Sequence, residues 1–370
     1  FYAVRLNPLP LFLIIAFISP LLSGIADYLG NKKFFLKLFC YVGSISCMSL
    51  YFFSLEDIIF SLITYLLALI GFWGSLVFYN SYLPDIAHKE QQDKISAKGF
   101  SLGYVGSVIL LLICLAMVMM VEETQAIQMM KYSFLLVGIW WIGFSQYTYY
   151  YLPDNKNSNK MHKNVIFNGF RELLKVWHQI KNILPLKRYL AAFFVYSMAV
   201  QTIMIIAAYF GEKEVQWGSD SKRTTGLIIS ILVIQLVAVF GAWITSKLVE
   251  KFGNIKVLML LNFLWILICT YAYFVVTPND FYIAAFFVGL VMGGIQSLSR
   301  STYSKFIPSD TKDTTSFFSF YDVAEKVGIV IGMLTYGYIA DITGKIQNAI
   351  LFLILFFIVG LLLLLRVPKN

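Results

Sequence analysis

Apolar runs of about twenty residues, separated by short polar breaks, recur along nearly the whole chain. A hydrocarbon core of roughly 30 Å needs about twenty such residues in a helix. Eleven segments meet that length, near 8–26, 34–53, 58–80, 99–121, 127–151, 189–211, 224–246, 256–276, 281–299, 317–339 and 346–366. The pattern predicts an all-α integral membrane protein. One polar stretch, 152–188, breaks the rhythm. Within it Ile166, Phe170, Leu173, Trp177, Ile180 and Leu184 recur at three- and four-residue spacing. That is one face of an amphipathic helix, expected to lie on the inner membrane surface and to end at Pro185. The alternative is a solvated tether. Either way the chain divides into an N-terminal bundle (1–152), a linker (153–188) and a C-terminal six-helix bundle (189–370).

Composition supports lipid as the main solvent. Hydrophobic residues make up 59% and charged residues 13%, against about half and a quarter in soluble domains. The net charge of +9 sits in short loops rather than on a contiguous basic face, so no nucleic-acid partner is expected. Lys32, Lys33, the 154–188 stretch, Lys247, Lys251, Lys256, Arg300, Lys305 and Lys312 mark one set of connections. Glu56, Asp57, Glu122, Glu123, Glu212, Glu214 and Asp280 mark the alternating set. The positive-inside rule then places the basic set and Asn370 in the cytoplasm. With eleven spans Phe1 falls outside, which predicts one more span before it.

Several chemistries lack their residues. Cys40, Cys47, Cys114 and Cys269 form no CxxC pair, and His88, His162 and His178 have no metal-ligand spacing. No metal or cofactor is expected. No phosphate-binding GxxxxGK[ST] loop, GxSxG or HExxH occurs. ATP-driven transport by this chain alone and hydrolase activity are therefore disfavoured, and the protein is not expected to be an enzyme.

The two halves repeat. Ser23-Gly24-Ile25-Ala26-Asp27-Tyr28-Leu29-Gly30-Asn31-Lys32-Lys33 matches Ser246-Lys247-Leu248-Val249-Glu250-Lys251-Phe252-Gly253-Asn254-Ile255-Lys256. At nearly the same offset, Tyr79 to Pro84 matches Tyr303 to Pro308. Parallel repeats of this kind occur in transporters. Gly30 and Gly253 permit a tight reversal. Asp27 and Glu250 sit where each could meet the positive end of a helix in the other half. Asp27 is expected at the helix start near Thr314–Phe318, and Glu250 at the one near Ser96–Gly99. The alternative is a plain charged loop.

The carboxylate–x–x–Gly–x–Lys loop resembles the signature loop of the major facilitator superfamily, with Ser23 in place of its leading Gly and Tyr28 in place of its Arg. Phe78 to Asp85, Gly293 to Ser301 and Ser316 to Tyr321 resemble its vacuole-effluxer branch, the autophagy-related amino-acid exporters and their bacterial relatives. The resemblance implies a major facilitator fold of two pseudo-symmetric bundles, twelve helices and alternating access. Fungal members are linked to amino-acid efflux, so amino acids are the substrate it implies.

Ionisable residues deep in a span are costly and mark function by default. Asp322, Glu325 and Lys326 lie in the tenth span, next to Tyr321. Asp322 and Lys326, at i,i+4, can pair on one face, whereas Glu325 points about 100° away from Lys326. Lys326 is a candidate for an anionic substrate group and Glu325 for proton coupling; a fixed polar cap near the inner surface is the alternative. Gln201, Gln235, Asn262 and Gln296 should face a cavity or a neighbouring helix. Arg300 either snorkels or pairs with a carboxylate of the other half as a gate. Gly99, Gly103 and Gly106, and Gly289 with Gly293, suggest close helix packing.

These readings converge on a monomeric secondary transporter for a small polar solute in the lipid bilayer, expected in a bacterial inner membrane. A carrier of sugars, peptides, drugs or lipids remains open, as does a non-transporting sensor or scaffold.

Overall fold

The computed structural model describes residues 9–154 and 165–368, almost all of them helical. In chain order the long helices are α1 (Leu9–Leu29), α2 (Lys32–Ser49), α3 (Ile58–Ser81), α4 (Gln92–Met119), α5 (Glu123–Tyr151), α6 (Val165–Asn182), α7 (Leu184–Glu214), α8 (Asp220–Phe252), α9 (Asn254–Ala272), α10 (Pro278–Phe306), α11 (Thr314–Thr343) and α12 (Ile346–Leu364). Every expected span has its helix. Several begin earlier than their apolar runs, α4 at Gln92 rather than near 99. The polar first turns of a spanning helix lie beyond the hydrocarbon, so an apolar count misses them.

Among the described residues ten helices are long and apolar enough to cross a membrane by length and composition. α11 is not among them, and Asp322, Glu325 and Lys326 lie in its first half. It is nonetheless central, packed against α1, α7 and α12. Helices α1 and α4 of the first set meet α11 and α8 of the second. The reversals at Gly30 and Gly253, the 82–91 and 307–313 connections and α6 share one end of the molecule, called here the α6 end.

The tightest seam is α8 on α10. A Cβ added at Gly289 or Gly293 would stand 2.6 or 2.1 Å from the carbonyl oxygens of Ile234 or Ala238. The Gly99, Gly103 and Gly106 row does not behave this way. Gly103 has no atom within 4 Å of such a Cβ, and the nearest to Gly106 is 3.9 Å away. Gly103 lines an apolar groove of about 1010 Å³ bounded by α2, α3, α4 and α5, whereas a Cβ at Gly99 would meet the Tyr79 hydroxyl at 3.2 Å. In the second set α7 is enclosed by α11 and α12 with α10 beside it. By the repeat, the counterparts of those helices are walls of the groove.

Pro185 does not end α6. The helix stops at Asn182, and Pro185 stands in the first turn of α7, where its missing N–H leaves no bond unmade. The docked face of α6 is also rotated from the expected stripe. Gly169, Val176 and Ile180 are buried, whereas Phe170, Trp177 and Leu184 are exposed. Gly169 meets α1, where it lets the two backbones touch, and Val176 and Ile180 join the core built mainly from the second helix set. The Ile166 side chain, residues 155–164 with His162, and Phe1 and Asn370 lie outside what is described.

Candidate functional site

α11 carries its charged residues into the middle of the molecule. Lys326 lies about 18 Å along a helix of roughly 45 Å. Its side chain is fully buried, with Nζ 2.8 Å from Asp322 Oδ1 and 2.8 Å from Glu325 Oε2. The lysine stem is long enough to reach both, despite the different directions of the two carboxylates. The ammonium also stands 4.0 Å from the centre of the Trp73 ring on α3, a cation–π contact. Asp322 Oδ2 accepts a bond from Ser19 of α1 at 3.3 Å. Glu325 Oε1 accepts one from Gln201 Nε2 of α7 at 2.6 Å. Four helices thus converge on one charged group. Two carboxylates against one ammonium leave it one positive charge short when all three are ionised. Glu325 is the most accessible member, 16% exposed against 5% for Asp322 and 0% for Lys326.

The amides behave differently from one another. Gln296 Oε1 accepts a bond from Tyr104 of α4 at 2.5 Å, and its Nε2 approaches Met204 Sδ. Gln235 keeps a buried oxygen without a hydrogen-bond partner among the described residues. Asn262 is fully buried in the core, where it donates to the Leu258 carbonyl of its own helix and its side-chain oxygen has no hydrogen-bond partner among the described residues. Tyr321 is buried and stacks on Phe193, ring centres 4.0 Å apart.

At the α6 end, Asp27 accepts bonds from the amides of Thr315 (3.3 Å) and Ser316 (2.6 Å). These are first-turn donors of α11, free because a helix start leaves its amides unpaired. Lys32, almost fully buried beside it, donates to Thr314 Oγ1 and to the Ser81 carbonyl and pairs with Asp85. Glu250 does not mirror Asp27. It is exposed and pairs with Lys247 at 3.2 Å. The start of α4 is met instead by Asn254 Nδ2, 2.7 Å from Asp93 Oδ1, and by Lys305, which pairs with Asp93. Gly30 and Gly253 both take left-handed backbone, φ +66° and +81°, so the repeat keeps the turn while the latch has moved.

Arg300 neither snorkels nor pairs with a carboxylate. It is 5% exposed. It donates to Ser96 Oγ and carbonyl and to Asn80 Oδ1, between the rings of Tyr79 and Phe100. Among the described residues no carboxylate stands within 4 Å of it.

Ser19, Trp73 and Asp93 stand in no sequence motif, whereas Lys32 and Asp85 stand in the quoted motifs, which do not reveal that the two pair. Asp93 and Lys305 could have been sought as opposite charges flanking matched loops. Trp73 and Ser19 carry no spacing signal.

A family model described as vacuole effluxer Atg22 like matches residues 11–370. The MFS-type transporter YxiO of Bacillus subtilis is 32% identical over 96% of this chain and 82% of its own length. Autophagy-related protein 22 of Vanderwaltozyma polyspora is 24% identical over 74% of this chain. The chain spans about half of that fungal protein, 55%. Among solved structures, the major facilitator superfamily transporter FucP in its outward conformation superposes with a TM-score of 0.66 at 13% identity, over 98% of this chain and 87% of that one. That likeness establishes the fold.

Proposed function

The chain belongs to the Atg22-like vacuole effluxer family of major facilitator transporters, and on that premise we propose that it is a secondary carrier of small polar solutes, with amino acids the first class to test. The observation that carries this reading is the buried Asp322–Glu325–Lys326 group where α1, α3, α7 and α11 converge. Buried charge is expensive and needs a use. A group one positive charge short suits a proton or a substrate ammonium at Glu325. Arg300, a buried cation with no carboxylate within 4 Å among the described residues, suits a substrate carboxylate. Together they favour a solute bearing both charges.

The mechanism is alternating access. The latches at Asp27, Lys32, Asp93 and Arg300 all bridge the two helix sets at the α6 end, so the site in this state is reached from the other end. The basic loops favour a cytoplasmic α6 end, and the similarity to a Bacillus protein favours a bacterial plasma membrane. The site lies within one chain, consistent with a monomer.

The test is uptake and counterflow in proteoliposomes against an amino-acid panel, with and without a pH gradient. Wild-type protein should exchange at least one amino acid, and Lys326→Met and Glu325→Gln should each lower the rate at least tenfold. Variants running at wild-type rates reject the assignment.

A further inference from the structure

α6 lies across the junction that Asp27 closes. On one side it is packed backbone to backbone on α1: a Cβ at Gly24 would stand 2.2 Å from the Gly169 carbonyl oxygen, and one at Gly169 would stand 2.8 Å from the Ile25 nitrogen. On the other side it holds the start of α11. Lys175 Nζ reaches Asp313 Oδ2 at 2.8 Å, a hydrogen bond that raises the lysine above its ordinary range, and Trp177 stacks on Phe320. Val176 and Ile180 are buried in the core shared with α7–α12. Only Ile183 separates α6 from α7. The helix therefore straps α1 to the second set at the end that must part during alternating access.

A second face of α6 is left largely uncovered by the described residues. Phe167, Phe170 and Leu174 are 58%, 48% and 42% exposed and fall on one stripe at three- and four-residue spacing. Arg171 and Lys181 flank it, both exposed. From 155 to 182 the sequence holds six Lys or Arg residues against the single acid Glu172. An apolar stripe bordered by cations, one turn or two inside the end of a spanning helix, matches the boundary between acyl chains and anionic headgroups.

We propose that this face of α6 binds the anionic headgroup layer of the adjoining leaflet, and that the binding tightens the strap and favours closure of the α6 end. The occupant is lipid rather than protein because charge and position both complement the headgroup region. The headgroup contact stands on the geometry of α6 alone; its control of opening rests on the alternating-access reading.

The experiment places the full chain in nanodiscs of phosphatidylcholine, with or without phosphatidylglycerol. Spin labels at Lys89 and Lys312, exposed loop residues of the two sets, report opening of the α6 end. A spin label at Phe167, read by its collision with a lipid-soluble relaxant, reports seating of α6. Anionic lipid should seat position 167 and raise the closed fraction. Arg171→Gln with Lys181→Gln should remove most of that response, on the order of fivefold in the closed-to-open ratio for each cation lost. Lipid-independent seating, an unchanged response in the double variant, or seating without any change in the Lys89–Lys312 distance overturns the proposal. A chain that shows the full lipid response yet transports nothing supports this inference and defeats the proposed substrate reading instead.

Discussion

Removing Lys326 would leave Asp322 and Glu325 facing a buried space with no counter-charge between them. Breaking one partner out of a buried ionic group typically costs about 3–5 kcal/mol, because the remaining charge is stranded. Lys326→Met should therefore lower thermal stability sharply. Adding Asp322→Asn should recover much of the loss, since Ser19 can still bond the amide. Transport should stay low in both, so a melting curve and a flux assay on the pair separate folding from function. Glu325→Gln should be milder in stability, because its amide oxygen can still accept from Lys326 while Gln201, with its own amide turned over, accepts from the new NH2. It should still abolish any dependence of exchange on a pH gradient. A variant with wild-type pH dependence would remove Glu325 from coupling. At this scale the sequence was readable where partners lie one helical turn apart, as with Asp322 and Lys326. It was silent on Ser19 and Trp73 and on Glu325 as the partner of Gln201, because contacts between helices more than a hundred residues apart leave no spacing to read.

Helices were legible wherever lipid sets their length, and less so wherever protein replaces lipid. The start of α4 and the rotation of α6 are both cases of the second kind. Periodicity finds that α6 has an apolar face; it does not say which part of a broad face docks, and Gly169 decides that by admitting the backbone of α1. The same physics separates two glycine rows that look alike in sequence. Gly293→Ala should force α8 and α10 apart, because no rotation moves a Cβ away from the Ala238 carbonyl oxygen 2.1 Å distant. A destabilisation of about 1–3 kcal/mol is expected. Gly103→Ala meets open space and gains helix propensity, so its melting temperature should be unchanged or slightly higher. Equal losses in both would mean that the α8–α10 seam is not set by contact.

The whole molecule closes its α6 end with two latches that the repeat alone would have made equivalent. One is as the first loop suggests: Asp27 on the amides that open α11. The other has passed from Glu250 to the Asp93–Lys305–Asn254 group. Asp27→Asn keeps the shape but loses the charge on two helix-start amides. Hydrogen bonds to charged groups contribute about 1.5–3 kcal/mol, so the closed-to-open ratio, read from the Lys89–Lys312 distance, should fall by about tenfold or more. Glu250→Gln should leave it unmoved. The second latch allows a stricter test. Asp93→Lys alone sets two cations together and should open the α6 end. Lys305→Asp added to it restores an opposite pair, but in the wrong order. The lysine then stands at the start of α4, where the helix dipole favours an anion, and Asn254 Nδ2 faces a cation in place of its acceptor. The double variant should therefore recover part of the closed fraction and not all of it. Full recovery would mean that Asp93 acts on Lys305 alone; no recovery would mean that the latch resides in Asn254 and the helix end.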